Sequence, residues 1–172
     1  MKNNPSAAMV VIGDEILSGR TLDTNTQYLA KLLTSIGIDL IEIRTIGDQT
    51  NTIISVVKEF SSKYDYVFTS GGIGPTHDDI TSISIAKAFD LEYVLNKDAY
   101  DILEKLYGER GEKITASREK MAWMPEGAKL ITYEPPSAPG FIIKNVYVLA
   151  GVPYIFQAMV ESLKNNLQKG DV

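Results

Sequence analysis

The sequence has no cysteine and a single histidine. It therefore holds neither a disulfide framework nor a thiolate or His-based metal cluster. That usage suits a reducing compartment, and a cytoplasmic protein is expected. No run of Lys or Arg occurs anywhere, and the formal net charge is −5 over 172 residues. The electrostatic footprint of a nucleic-acid or anionic-membrane binder is absent. No segment approaches the ~20 apolar residues needed to span a bilayer. Near the N-terminus the one apolar run, Ala7-Ala8-Met9-Val10-Val11-Ile12, stops at Gly13-Asp14. It is short for the ~7–15-residue core of a signal peptide and no small-residue cleavage site follows, so it reads as a buried first strand.

What is present is the composition of an ordinary globular domain, 44% hydrophobic and 23% charged. One α/β domain over residues 1–172 is expected. Short apolar runs alternate with amphipathic stretches, the pattern of strands buried on both faces between helices. Thr24-Asn25-Thr26-Gln27 reads as a capping box opening a helix that buries Leu29, Leu32, Leu33 and Ile36 and stops at Gly37. Ile38–Ile46 follows as a strand, Thr50–Lys63 as a helix, Tyr66–Thr69 as a strand and Ile80–Phe89 as a helix, with a short extended piece at Leu91–Leu95. Lys97–Trp123 is polar and helical, interrupted at Gly108-Glu109-Arg110-Gly111, and reads as an inserted lid with a solvated charged face. Phe141–Ile143 and Val146–Ala150 flank a hairpin turn. A closing helix begins near Pro153.

In an open parallel sheet, ligands bind beyond the carboxyl ends of the strands. Three predicted strands end there in unusual loops: Gly13-Asp14-Glu15-Ile16-Leu17-Ser18-Gly19, Gly47-Asp48, and Ser70-Gly71-Gly72-Ile73-Gly74-Pro75-Thr76 with His77, Asp78 and Asp79. Glycines let a backbone approach a ligand closely, and the helix that follows favours an anion at its N-terminus. The Gly-rich segment matches neither the dinucleotide fingerprint nor a P-loop. A tight strand-to-helix turn capped by Asp79 remains the alternative, and Asp48 also precedes a helix and suits a cap. Arg20 is the only cation near these acids in sequence. A phosphate there needs backbone N–H groups and a divalent cation, Mg²⁺ being the natural one, held by one or two of these carboxylates plus the ligand's phosphates. His77 is read as loop polarity or a proton shuttle, and Met121, Trp123 and Met124 as packing.

The opening segment Gly13–Thr21 with Asp23-Thr24-Asn25 resembles the N-terminal domain of the competence/damage-inducible protein A (CinA-like) family. Ser70–Thr81, Ala138-Pro139-Gly140-Phe141 and Ala150-Gly151-Val152-Pro153 match that family's later motifs in order. The resemblance implies the molybdenum-cofactor-biosynthesis (molybdopterin-binding) superfamily. It implies a three-layer α/β/α fold whose mostly parallel sheet carries an antiparallel edge strand, and a homotrimer. Molybdopterin or a nucleotide would bind at the Gly-rich loop, with Thr81, Pro139, Gly140, Gly151 and Pro153 contributing to the site. The family's two key acidic positions map onto Asp48 and Asp79, which the resemblance makes the metal ligands and catalytic carboxylates. Adenylyltransferases of the superfamily usually carry Thr where this chain has Ile73. Family members often carry a C-terminal amidohydrolase domain, for which no room is expected after Val172. Three functions follow: a molybdopterin-binding protein of cofactor biosynthesis, a metal-dependent nucleotide (ADP-ribose) pyrophosphatase, and a non-catalytic binding module.

Overall fold

The computed structural model describes residues 3–172, so the first two positions of the expected domain lie outside it. Its strands are β1 (Ser6–Ile12), β2 (Asp39–Ile46), β3 (Tyr66–Ser70), β4 (Tyr93–Leu95), β5 (Trp123–Pro125), β6 (Lys129–Ile131), β7 (Gly140–Ile143) and β8 (Val146–Leu149). The helices are α1 (Asp14–Leu17), α2 (Asn25–Ser35), α3 (Thr50–Lys63), α4 (Thr81–Ala88), α5 (Lys97–Glu109), α6 (Ala116–Glu119) and α7 (Pro153–Leu163).

A six-stranded sheet runs in the order β2-β1-β3-β8-β7-β6. β1 is parallel to both β2 and β3, and β3 is parallel to β8. The antiparallel strand is β7, and β6 pairs antiparallel outside it as the edge. The mostly parallel α/β sheet read from the sequence is thus present, and β6 is an additional short strand that three residues of weak alternation did not announce. β4 and β5 form a separate antiparallel pair.

β1 stands one strand in from the β2 edge, and its residues Ala7 to Ile12 are at most 2% exposed. Because strand side chains alternate, Ala8, Val10 and Ile12 pack on one side with Val57 and Phe60 of α3 and Ile85 of α4. Ala7, Met9 and Val11 pack on the other with Leu29 and Leu33 of α2 and Phe156 and Met159 of α7. An apolar run without polar interruption is what burial on both faces demands, and its placement makes three layers.

The start of α2 differs from the capping box expected. Thr24 makes no side-chain cap bond. The Asp23 carboxylate instead accepts from the Asn25 and Thr26 amides at 3.0 and 3.3 Å. A carboxylate one residue earlier reaches the same orphan N–H groups, and its charge suits the helix dipole.

The hairpin turn between β7 and β8 is tied to α3. Asn145 Nδ2 donates to the Ser61 and Tyr64 carbonyls at 3.0 and 2.9 Å, and its Oδ1 accepts from Ser61 Oγ at 2.6 Å. Asn145 thus satisfies carbonyls at the C-terminal end of α3 that no helical N–H reaches. Replacing Asn145 with Ala leaves both carbonyls without this donor, and we expect a loss of about 2–3 kcal/mol in urea unfolding. A change within experimental scatter would show that solvent replaces these bonds at no cost.

Candidate functional site

At the carboxyl ends of β1 and β2 the two following loops hold each other. The Asp14 amide donates to Asp48 Oδ2 at 3.0 Å, and the Asp48 amide donates to Asp14 Oδ1 at 3.1 Å. The approach depends on Gly47, where a Cβ would stand 2.6 Å from Asp14 Oδ1. Asp48 is therefore not a helix cap. The N-cap of α3 is Gln49, and no side chain caps it.

The Gly-rich loop begins at Gly71, whose φ of 98° lies where side chains are strained. A Cβ there would also stand 2.2 Å from the Ile12 carbonyl. The loop is fastened at both ends. Buried Thr81, the first residue of α4, donates from its hydroxyl to the Gly71 carbonyl and from its amide to the Gly72 carbonyl, each at 2.9 Å. Asp79 Oδ2 accepts from the Thr76 amide and hydroxyl, both at 2.8 Å. Asp79 closes the loop and does not cap α4, whose N-cap is Ile80. The capping alternative is thereby set aside for both acids.

Beside this loop lies an open cleft of about 490 Å³. Its walls combine Glu15, Gly71, Gly72, Ile73, Gly74, Pro75, Asp79, Gly151 and Pro153, all expected from the sequence. The cleft also takes Thr21, Ser137 and Val152, and an apolar wall from Tyr107, Met121 and Tyr133 that the sequence reading missed. Tyr107 and Met121 sit on the inserted segment, and their helical spacing is the pattern of packing residues, so no local signal marked them. Tyr133 is nearly buried and donates to the Ala138 carbonyl at 3.0 Å. Burial raises its hydroxyl above the ordinary tyrosine value.

Other expected site residues stand elsewhere. Ser70 is buried at the end of β3 and lines a smaller pocket of about 80 Å³ that adjoins the cleft and shares Glu15, Gly71 and Pro153 with it. Ser18 and Gly19 are exposed in the turn after α1. Pro139 and Gly140 are buried, Gly140 against the Val148 carbonyl and the Met159 sulfur. Asp78 points to solvent, 77% exposed and 3.2 Å from the equally exposed His77. Gly13 is buried and donates to the Ile46 carbonyl at 3.0 Å.

The inserted segment is a cap built of α5, α6 and a 3-10 turn over Lys120–Ala122. Arg118 stacks over the Tyr107 ring at 4.2 Å and pairs with Glu112. The charged face expected to be solvated is partly engaged: Lys120 donates to the Thr76 carbonyl and brings a second cation to a site where sequence neighbours offered only Arg20.

The electrostatics are dominated by acids. Burial pushes the Asp48 carboxyl up, the hydrogen bond from the Asp14 amide pulls it down, and the charges of Asp14, Glu15 and Asp79 push it up again. Among the described residues no three His, Cys, Asp or Glu side chains form a metal cage. Asp79 lines the cleft and Asp48 does not, and each has Oδ2 in a protein hydrogen bond.

The chain matches the family described as the probable molybdopterin binding domain over residues 8–169. A protein of Metallosphaera sedula is 40% identical over 167 residues, 94% of this chain and 63% of its own length. A CinA-like protein of Chloroherpeton thalassium is 36% identical over 162 residues, 90% of this chain and 39% of its own. The chain thus spans less than two thirds of either relative. The crystal structure of CinA from Thermoplasma acidophilum superposes with a TM-score of 0.86 at 31% identity, over 94% of this chain and 98% of that one. The tungsten cofactor synthesizing protein MoaB from Pyrococcus furiosus shares the fold at a TM-score of 0.60 and 19% identity, over 96% and 94% of the two chains.

A raised carboxyl has a consequence for stability. Asp48 keeps its proton to higher pH in the folded chain than in the unfolded one. The folded state then binds more protons in that window, so stability falls as pH rises through it. Asp48→Asn keeps an acceptor for the Asp14 amide and deletes the charge. We expect its melting temperature to exceed that of the wild type at neutral pH, and the gain to vanish in acid below the ordinary Asp range. Melting curves that coincide at both pH values would show that neither burial nor the neighbouring acids raise the Asp48 carboxyl.

Proposed function

The chain belongs to the probable molybdopterin binding domain family, in its CinA-like branch, and on that premise we propose that it binds a phosphorylated pterin or nucleotide with a divalent cation. One observation carries the reading: a single cleft sets the Gly71–Pro75 backbone beside the Glu15 and Asp79 carboxylates and an apolar wall of Tyr107 and Met121. Those three surfaces match the three parts of such a ligand. Backbone approach suits the phosphate, a hard cation answers the carboxylates, and the apolar wall suits a heterocycle.

Asp48 and Asp79 are the carboxylates we assign to the cation, Asp79 because it lines the cleft and Asp48 on the family resemblance alone. When bound, it would offset phosphate charge and activate an oxygen nucleophile. The chain's own residues do the positioning. Thr81 holds the Gly71 and Gly72 carbonyls and so sets the loop's shape. Asp79 fixes Thr76, and Asp48 fixes the start of α1 through Asp14. The turnover we propose is attack on a phosphoanhydride, with Ile73 favouring water over adenylyl transfer. Its side chain lines the cleft and offers no hydroxyl. A homotrimer is the assembly we propose, on the superfamily resemblance alone.

Molybdopterin, ATP and ADP-ribose, each tested for binding and turnover with and without Mg²⁺, decide the ligand class. Within that screen Asp79→Asn is the informative variant, because Asn keeps an acceptor for Thr76 while removing one charge. Loss of a charged ligand to Mg²⁺ should weaken nucleotide affinity roughly 10-fold or more when Mg²⁺ is present. Without the metal the same change should strengthen it, since a repulsive charge is gone. Affinities that do not respond to either change would refute the metal assignment.

A further inference from the structure

The Lys120 side chain is half-buried, and among the described residues no carboxylate pairs with it. Its ammonium group donates to the Thr76 carbonyl, the only hydrogen bond in the described residues that joins the cap to the Gly-rich loop. A partly desolvated cation held by a neutral carbonyl is an incomplete arrangement. Its charge is compensated neither by an ion pair nor by full hydration. Asp79 of the same loop accepts from Thr76 and makes no ion pair with the lysine.

The position is informative. Thr76 directly follows Pro75, which lines the cleft, and its amide and hydroxyl are held by Asp79, which lines it too. Met121, the next residue after Lys120, contributes its side chain to the same cleft. The ammonium therefore stands at the rim where a phosphate against the loop would lie. A lysine head on a flexible four-carbon stem can turn from a carbonyl to a nearby oxyanion without backbone movement.

We propose that Lys120 is a specificity-determining residue that pairs with the ligand's phosphate, so that the cap supplies the cation that the loop lacks. The inference rests on the phosphate-binding reading above and deepens it. It assigns the cap two tasks, an apolar contact to the heterocycle through Tyr107 and Met121 and a charged contact to the phosphate through Lys120. Discrimination would follow from phosphate charge, since an uncharged nucleoside offers nothing to the ammonium.

Calorimetric titration of wild type, Lys120→Gln, Lys120→Met and Lys120→Arg with ADP and with adenosine tests it, with Mg²⁺ present throughout. The expected result is a roughly 10- to 100-fold loss of ADP affinity in the Gln and Met variants. Adenosine affinity should stay unchanged, Lys120→Arg should keep most of the ADP affinity, and the ligand-free melting temperatures should stay together. A lysine that merely pins the cap would behave differently: Gln and Met would weaken both ligands alike or lower the ligand-free melting temperature, and either result overturns the proposal. Unchanged ADP affinity in Gln and Met overturns it alone. A wild-type protein that binds neither ligand overturns the proposal for nucleotides, and failure to bind molybdopterin, ATP and ADP-ribose in the earlier screen overturns the phosphate-binding reading as well.

Discussion

The contact of Gly71 with the end of β1 governs the geometry of the site. β3 leaves the sheet at Ser70, and the chain turns at once through a left-handed residue lying against the Ile12 carbonyl. Any side chain at Gly71 would push the loop away from β1, and with it the Gly72–Pro75 backbone that walls the cleft. Thr81 then secures the displaced carbonyls from the far side, so that the first turn of α4 is fixed relative to β3. The Ile73 and Asp79 side chains reach the cleft because this turn is short and held at both ends.

A second constraint acts through charge. The loops after β1 and β2 are knitted by two aspartates that use each other's amides, an arrangement that brings like charges together near Glu15 and Asp79. A fold selected for stability alone has no need to collect acids on one sheet edge, where their repulsion opposes folding. Strain of this kind gathers at sites where a ligand relieves it.

The core was legible in the sequence because its signals are local. β1 announces itself by an unbroken apolar run, α2, α3 and α7 by a period of 3.6 residues, and the Gly-rich loop by composition. What stayed hidden has a physical reason in each case. Strand β6 covers Lys129–Ile131 and β5 covers Trp123–Pro125, each too short for alternation to register. Asp23 was overlooked as the cap of α2 because Thr24 and Gln27 formed a familiar spacing, yet the carboxylate one residue earlier made the bonds. Asp48 and Asp79 looked equally suited to capping, and only their carboxylates' partners distinguish the roles. The Tyr107 and Met121 wall and the Lys120 contact arise from the return of a distant segment, which no window of sequence contains.

The cap has one further property. It leaves the body of the protein at Leu95 and returns at Trp123, residues paired across β4 and β5, and the Asn96 amide donates to the Ala122 carbonyl at 2.8 Å just inside that pair. Its two ends are therefore held side by side by a ladder independent of what lies between them. The entropy of closing such a loop grows only with the logarithm of its length, about 0.6 kcal/mol for each doubling. Residues can be added to or removed from the exposed turn at residues 108–113 at little cost to the sheet, whereas Ala99 and Leu103 of α5 are buried in the core. The tip of the cap between α5 and α6 is thus free to change length, while the Gly-rich loop, held by Thr81 and Asp79, is not.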